Sequence, residues 1–159
     1  MALPQEVRSS YQALVNSGNI RYVVYPVGAP TSVVSDGSAA AWAWAAYVQI
    51  VAAGVIADPC WLCGAVIHTA VVETHNGDIA IASGGAGSET DLAIFGYAAA
   101  LAGATANTAA MPILSYLVRL PFPIRIAGSP RLAARLRKST AASAAGVSMK
   151  VLAATAVGT

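Results

Sequence analysis

Charged side chains are scarce in this sequence, at 10% of 159 residues against about 25% in an average soluble domain. Such scarcity is typical of chains that span a membrane and of chains whose surface is covered by partners. Two uncharged stretches, 37–57 and 92–118, are long enough to span, since about 20 apolar residues cross a bilayer. Both are rich in small or polar residues, and basic residues do not bracket either one. A soluble chain is therefore favoured, with no membrane partner, and a small integral membrane protein is kept as an alternative.

Cysteine is almost absent too, which excludes a disulfide framework. The two cysteines, Cys60 and Cys63, supply only two ligands where a structural zinc site needs four. Adding His68 and His75 gives the spacing C-x2-C-x4-H-x6-H, which is not a zinc-finger pattern. A redox pair would need to open a helix within a βαβ unit. We therefore interpret the cysteines as two small, semi-buried thiols beside a turn.

The motifs of catalysis are missing as well. No nucleophile-elbow sequence accompanies the serines, and each histidine has an ordinary structural explanation. The glycine-rich stretch 84–89 lacks the Lys-Ser/Thr ending of a phosphate-binding loop. We accordingly predict a protein that is not an enzyme, with no catalytic residues, no cofactor-binding residues, no cofactor and no metal site. The polar N-terminus, MALPQEVRSS, predicts no signal peptide.

Acidic residues stop at Asp91, which makes the charge distribution uneven. Residues 1–91 hold seven acids and two arginines, a net charge of −5, whereas residues 92–159 hold seven bases and no acid. This polarity suits head-to-tail contact between copies or docking on an acidic neighbour, unless the fold interleaves the two halves. A basic cluster, Arg131, Arg135, Arg137 and Lys138, has no interleaved aromatics, so no direct nucleic-acid binding is predicted.

Alternation of apolar and polar residues is the main structural signal present. It predicts strands over 20–25, 42–51, 61–74, 79–82, 113–120, 124–126 and 147–151. Helical spacing within residues 4–15 predicts a short N-terminal helix, or an arm, within residues 1–19. Stretches 27–38 and 83–91 are predicted loops. Asn76-Gly77 predicts a β-hairpin, because both central residues of a type I′ turn need positive φ.

Two stretches remain ambiguous between helix and strand. Residues 92–101 are undecided by pattern. Residues 129–145 have helix-like caps in Ser129 and Gly146, but as a strand Arg131, Arg135 and Arg137 would share one side. The surrounding strands favour a strand there. The whole pattern predicts an all-β fold, an antiparallel β-sandwich or jelly roll, with a single domain over 20–159.

Trp42 and Trp44 lie on the same side of a predicted strand. Core positions are the ordinary interpretation of such a pair, although flanking alanines also allow an apolar contact patch. A further alternative joins both residues with Trp61 or nearby tyrosines in a stacking platform for a carbohydrate or receptor.

The C-terminal phrase LPFPIRIAGSPRLAAR, residues 120–135, resembles proline-punctuated, arginine-bearing strands of small virion proteins of tailed bacteriophages. The tryptophan-rich strand, the Gly-x-Gly-Ser-Glu loop and the closing Val-x-Met-x-Val strand extend the resemblance to about two thirds of the chain. It is similar in style to head decoration (cement) proteins and tail-adaptor modules. The resemblance implies a β-sandwich or jelly roll and assigns no functional residue.

These observations together predict a non-enzymatic virion structural protein. It would bind and stabilise a phage capsid lattice, with the major capsid protein or other virion subunits as partners, as a homo-oligomer such as a trimer. Affinity would come from apolar contacts and pairing of strand edges. The alternatives are a carbohydrate- or receptor-binding β-sandwich of a phage tail or head fibre, and the small integral membrane protein.

Overall fold

Two antiparallel sheets form a β-sandwich with one helix on its outside, which confirms the all-β prediction. The computed structural model describes residues 4–27, 32–35, 40–56, 59–70, 75–99, 114–128, 130–140 and 146–157. In chain order the elements are α1 (Pro4–Ser17), β1 (Ile20–Tyr25), β2 (Ser32–Ser35), β3 (Val48–Val51), β4 (Cys60–Ala70), β5 (His75–Ser83), β6 (Thr90–Ala99), β7 (Leu114–Ile126), β8 (Leu132–Lys138) and β9 (Gly146–Ala156).

Sheet A has the order β1–β9–β4–β7, and β2 also pairs with β9. Since β4 occupies one edge of β9, strands β1 and β2 share the other: Ile20 lies opposite Ala156, and Ser35 opposite Gly146. Sheet B has the order β3–β8–β5–β6. In sheet A, β1 and β2 therefore form one edge and β7 forms the other. In sheet B, the edge strands are β3 and β6.

The core lies between the sheets and follows the period of two that strands impose. In β8, Leu132, Ala134 and Leu136 are fully buried against inward-facing residues of β4, β5 and β9. This confirms the strand interpretation of 129–145 for residues 132–138; positions 129 and 141–145 lie outside the described residues. The undecided stretch 92–101 is also a strand as far as Ala99, because its Phe95 and Tyr97 alternate into the same core.

A β-bulge in β4 changes which residues face the core. The register shifts between Leu62 and Gly64 against both neighbouring strands. Cys60 and Leu62 point inward before the shift, and Ala65 and Ile67 after it, so the extra residue reverses the alternation. Gly64 is required here, since a Cβ atom would lie 2.1 Å from the Val118 carbonyl oxygen of β7.

The predicted Asn-Gly hairpin is wrong. Asn76 and Gly77 lie inside β5, which pairs with β6 and β8, whereas β4 belongs to the other sheet. Close packing accounts for the glycine: a Cβ atom on Gly77 would lie 2.3 Å from the Arg137 carbonyl oxygen and 2.5 Å from the Tyr97 ring. The residue serves close approach of neighbours and not a turn.

Three smaller predictions also need correction. Strand β2 lies within the predicted loop 27–38, where its two valines pair with β9. Strand β7 runs through Pro121 and Pro123 instead of breaking there, which an edge strand tolerates. Residues 43–47 are not regular strand, although 48–51 are. Among the described residues, no helix is both long and apolar enough to cross a membrane.

Helix α1 packs on the outer face of sheet A. Tyr11 and Leu14 of this helix pack against Trp61, Cys63 and Ala154. The rings of Tyr11 and Trp61 meet edge to face, with centroids 5.9 Å apart. The N-terminal segment is therefore a docked helix over Pro4–Ser17.

Gly77→Ala should test the packing role of this glycine. We expect it to destabilise the fold by about 1–3 kcal/mol, because the new methyl group meets a backbone oxygen that has little room to move. Gly96→Ala on the adjacent strand is the matched control, since its Cβ atom would have no neighbour closer than 3.7 Å. Urea denaturation of both variants measures the effect. Equal stabilities would contradict the packing explanation.

Candidate binding surfaces

The outer face of sheet B is covered by the segment that leads into β3. Two backbone hydrogen bonds hold this segment along β8: the Trp42 N–H donates to the Lys138 carbonyl (2.7 Å), and the Ala45 N–H to that of Leu136 (2.9 Å). Trp42 has a φ of 60°, which interrupts the alternation expected of a strand. The aromatic side chains of this segment consequently lie over the outward-facing arginines of β8.

Guanidinium groups and aromatic rings alternate on this face. Arg135 lies 4.6 Å from the ring centroids of both Trp44 and Tyr47, and Arg137 lies 4.6 Å from Trp44 and 5.7 Å from Trp42. Each such contact contributes about 0.5–2 kcal/mol, more where water is excluded. We call these five residues the arginine–aromatic stack.

Carboxylates from β5, β6 and the loop between them neutralise the arginines. Arg131 pairs with Glu89 (2.8 Å), Arg137 with Asp78 (2.7 Å), and Arg135 with Asp91. Arg131 also donates to the Gln49 side chain and the Gly84 carbonyl. The loop 84–89 therefore supplies an ion-pair partner to Arg131, which immediately precedes β8.

Asp91 joins the ion pairs to the aromatic rings. One of its oxygens accepts from Arg135 and the other accepts from the Tyr47 hydroxyl at 2.7 Å. Burial, followed by this hydrogen bond, raises the pKa of Tyr47, so the phenol stays a neutral donor near pH 7. The carboxylate thereby fixes the orientation of the ring on which Arg135 stacks.

The predicted basic cluster is therefore not a free positive patch. Three of its members are paired with acids, and Lys138 is buried at the core side of β8. The three acids come from the acidic half of the sequence and the arginines from the basic half. Folding thus interleaves the acidic and basic halves, as one of the two interpretations of the charge distribution expected. These paired charges therefore give no support to head-to-tail contact between copies.

The core interpretation of Trp42 and Trp44 is wrong. Trp42 is 49% exposed and Trp44 is half-buried, because guanidinium groups and not core side chains pack against their rings. Trp61 is buried on the outer face of sheet A, beneath α1. The three tryptophans therefore do not form one platform.

The cysteine pair is divided between two environments. Cys60 lies in the main core, with its thiol near the Ile126 carbonyl, and Cys63 lies beneath α1. The two cysteines form no disulfide with each other, and both are buried deeper than predicted, at the start of β4. His68 is half-buried in the same strand, and the His75 side chain lies outside the described residues. Among the described side chains, no three His, Cys, Asp or Glu residues are grouped to hold a metal ion.

A second surface lies where β6 and β7, edge strands of different sheets, contact each other at one side of the sandwich. Ile94 of β6 and Leu117 and Phe122 of β7 are 55%, 47% and 54% exposed. We call this surface the β6–β7 side. These side chains leave apolar surface exposed on both edge strands.

A cleft between α1 and β7 is the third surface, which we call the α1 cleft. It has a volume of about 490 Å³ and is lined by Tyr11, Tyr22, Cys63, Arg119, Leu120, Pro121, Pro123 and Leu152. A comparable cleft of about 500 Å³ lies at one end of the sandwich, between the Gly84–Gly85 loop and Arg125. No sequence motif marks either cleft, since their walls come from separate strands.

Comparison with known proteins identifies no relative: no family model matches, and neither does any curated protein or solved structure.

The ion pair between Glu89 and Arg131 should appear in the pH dependence of stability. The Arg131 hydrogen bond lowers the pKa of Glu89 in the folded state. The pair therefore stabilises the fold above the unfolded carboxyl pKa, about 4.3, and this contribution is lost as pH falls through the lower, folded pKa. We expect the urea midpoint of the wild-type chain to fall more steeply below about pH 4.3 than that of Glu89→Gln.

Arg131→Gln is the control for this prediction, because it removes the other member of the pair and should flatten the same pH range. Parallel curves for the wild type and Glu89→Gln would show that the pair does not stabilise the fold.

Proposed function

We propose that this chain is a non-enzymatic structural protein of a phage virion that binds and stabilises a capsid lattice through its β6–β7 side. The observation that supports the proposal is the exposure of three large apolar side chains, Ile94, Leu117 and Phe122, on two edge strands. Burying one such side chain against a partner contributes about 1.5–3 kcal/mol. A protein that works inside an assembly can leave such groups exposed until it binds.

The β-sandwich and the phrase 120–135 support the phage assignment. That phrase forms the end of β7 and the start of β8, and it includes Phe122 of the β6–β7 side. The low charge of the chain agrees with a surface partly buried by virion subunits. We propose the major capsid protein or a neighbouring virion subunit as the partner, and a homo-oligomer, such as a trimer, as the bound form.

Binding to virus particles tests this proposal. We expect mass spectrometry to find the chain in particles purified from the phage that encodes it. Particles stripped of the chain should rebind the purified wild type in a sedimentation assay. The double variant Leu117→Ser/Phe122→Ser should bind at least about tenfold more weakly, because it loses two apolar contacts.

The matched control is Val27→Ser/Val55→Ser. These valines are 74% and 54% exposed but follow β1 and β3, the strands at the opposite edges of the two sheets. The control should bind like the wild type. Absence of the chain from particles would overturn the virion assignment, and equal binding by both double variants would overturn the β6–β7 side as the contact. Light scattering of the free chain measures its oligomeric state.

A carbohydrate- or receptor-binding role is the second candidate, and the exposure of Trp42 favours it. This ring ends the arginine–aromatic stack with about half its surface open to a ligand. In a glycan array, Trp42→Ala should abolish any signal, whereas Phe122→Ala, which removes an equally exposed aromatic ring elsewhere, should not. Loss of signal from both variants, or from neither, would count against a sugar site at Trp42.

A further inference from the structure

The α1 cleft combines apolar walls with polar groups that converge from four elements. Its volume of about 490 Å³ falls within the range of about 300–1,000 Å³ typical of ligand sites. Leu152 of β9 and Pro121 of β7 form apolar walls, while Tyr22, Cys63 and Arg119 add polar atoms. Such a mixture is what a site needs to hold an apolar stem and orient a polar head.

Among the described residues that line the cleft, Arg119 is the only charged one. The acids whose side chains are described, Asp78, Glu89 and Asp91, pair with arginines on the other sheet and not with Arg119. Its guanidinium is exposed and can present two parallel N–H donors to a planar anion.

Two further polar groups in the cleft, Tyr11 and Cys63, stay neutral near pH 7. Burial raises the pKa of the Cys63 thiol, and burial together with the hydrogen bond to Tyr22 raises the pKa of Tyr11. Arg119 therefore supplies the one charge among the described lining residues. Because the Tyr11 and Tyr22 hydroxyls are hydrogen-bonded to each other, the accepting hydroxyl keeps its own proton. When Tyr11 donates, the half-exposed Tyr22 hydroxyl can donate to a ligand.

We propose that the α1 cleft binds a carboxylate on an extended segment of a partner protein. The carboxylate pairs with Arg119 and accepts from the Tyr22 hydroxyl, and the apolar part of the segment packs on Pro121 and Leu152. Charge complementarity specifies the occupant, since a single arginine between neutral tyrosine and thiol groups recognises one anionic group. This site is separate from the β6–β7 side and does not depend on the virion assignment.

Nuclear magnetic resonance titration of the ¹⁵N-labelled full chain tests the proposal without any virus particle. The probes are the blocked tripeptide acetyl-Ala-Glu-Ala-amide and its uncharged counterpart acetyl-Ala-Gln-Ala-amide. We expect the glutamate peptide to shift the amide signals of Tyr22, Cys63 and Arg119, and the glutamine peptide to leave them unchanged. Arg119→Gln should weaken binding at least about tenfold, since a hydrogen-bonded charge pair is lost.

Arg125→Gln is the matched control, because Arg125 is an exposed arginine on the same strand that does not line this cleft. It should bind the glutamate peptide like the wild type. Arg119→Lys keeps the charge without the two parallel donors, so it should bind with intermediate affinity if Arg119→Gln proves poorly folded.

Three results would overturn the proposal: equal binding of the two peptides, shifts that map outside the cleft, or no shifts with either. Sodium acetate is titrated as a third ligand. If acetate binds as tightly as the glutamate peptide, the cleft is a simple anion site and the protein-segment proposal is wrong. Failure of particle binding would leave these titrations unaffected, so the two proposals can fail independently.

Discussion

Charge pairing between β8 and its neighbours is the interaction on which the rest of sheet B depends. Three arginines alternate on the outward side of one strand, and left alone they would repel one another. Their counterions are Asp78 of β5, Asp91 of β6 and Glu89 of the loop that joins these strands. The order β8–β5–β6 brings these groups together. With the charges neutralised, aromatic rings can lie over the arginines, and alanines below them, including Ala80 and Ala133, become fully buried.

The consequence is a molecule with two chemically different outer faces. The outer face of sheet B is occupied by its own residues, in pairs whose charges cancel. The outer face of sheet A is covered in part by α1, and beyond the helix Arg119 and Arg125 have no ion-pair partner among the described side chains. These two positive charges of the C-terminal half therefore lie on sheet A. The proposed carboxylate site in the α1 cleft is on that side, away from the paired arginines of sheet B.

Sequence alternation predicted much of the fold because it reflects burial directly. It placed β1 at its observed bounds, favoured strand for β8, and found β9 and the start of β4. It failed where neighbours from distant parts of the chain decide the outcome. Asn76-Gly77 has the local chemistry of a turn, yet the Tyr97 ring and the Arg137 carbonyl need the space. Trp42 and Trp44 have the hydrophobicity of core residues, yet guanidinium groups from β8 stack on them. Neither partner can be identified before the strand order is known, and the same holds for the walls of the α1 cleft.

The two prolines of β7 have a consequence for chains held side by side. An edge strand of 13 residues offers a row of backbone donors and acceptors to any similar strand that approaches it. Pro121 and Pro123 each lack an N–H group. The second half of this edge therefore cannot form a regular ladder of backbone hydrogen bonds with the β7 strand of another copy. Copies held close together therefore cannot pair backbone to backbone along this half of β7. Along that half, contacts between them must form through side chains, whose fit distinguishes the correct neighbour from a wrong one.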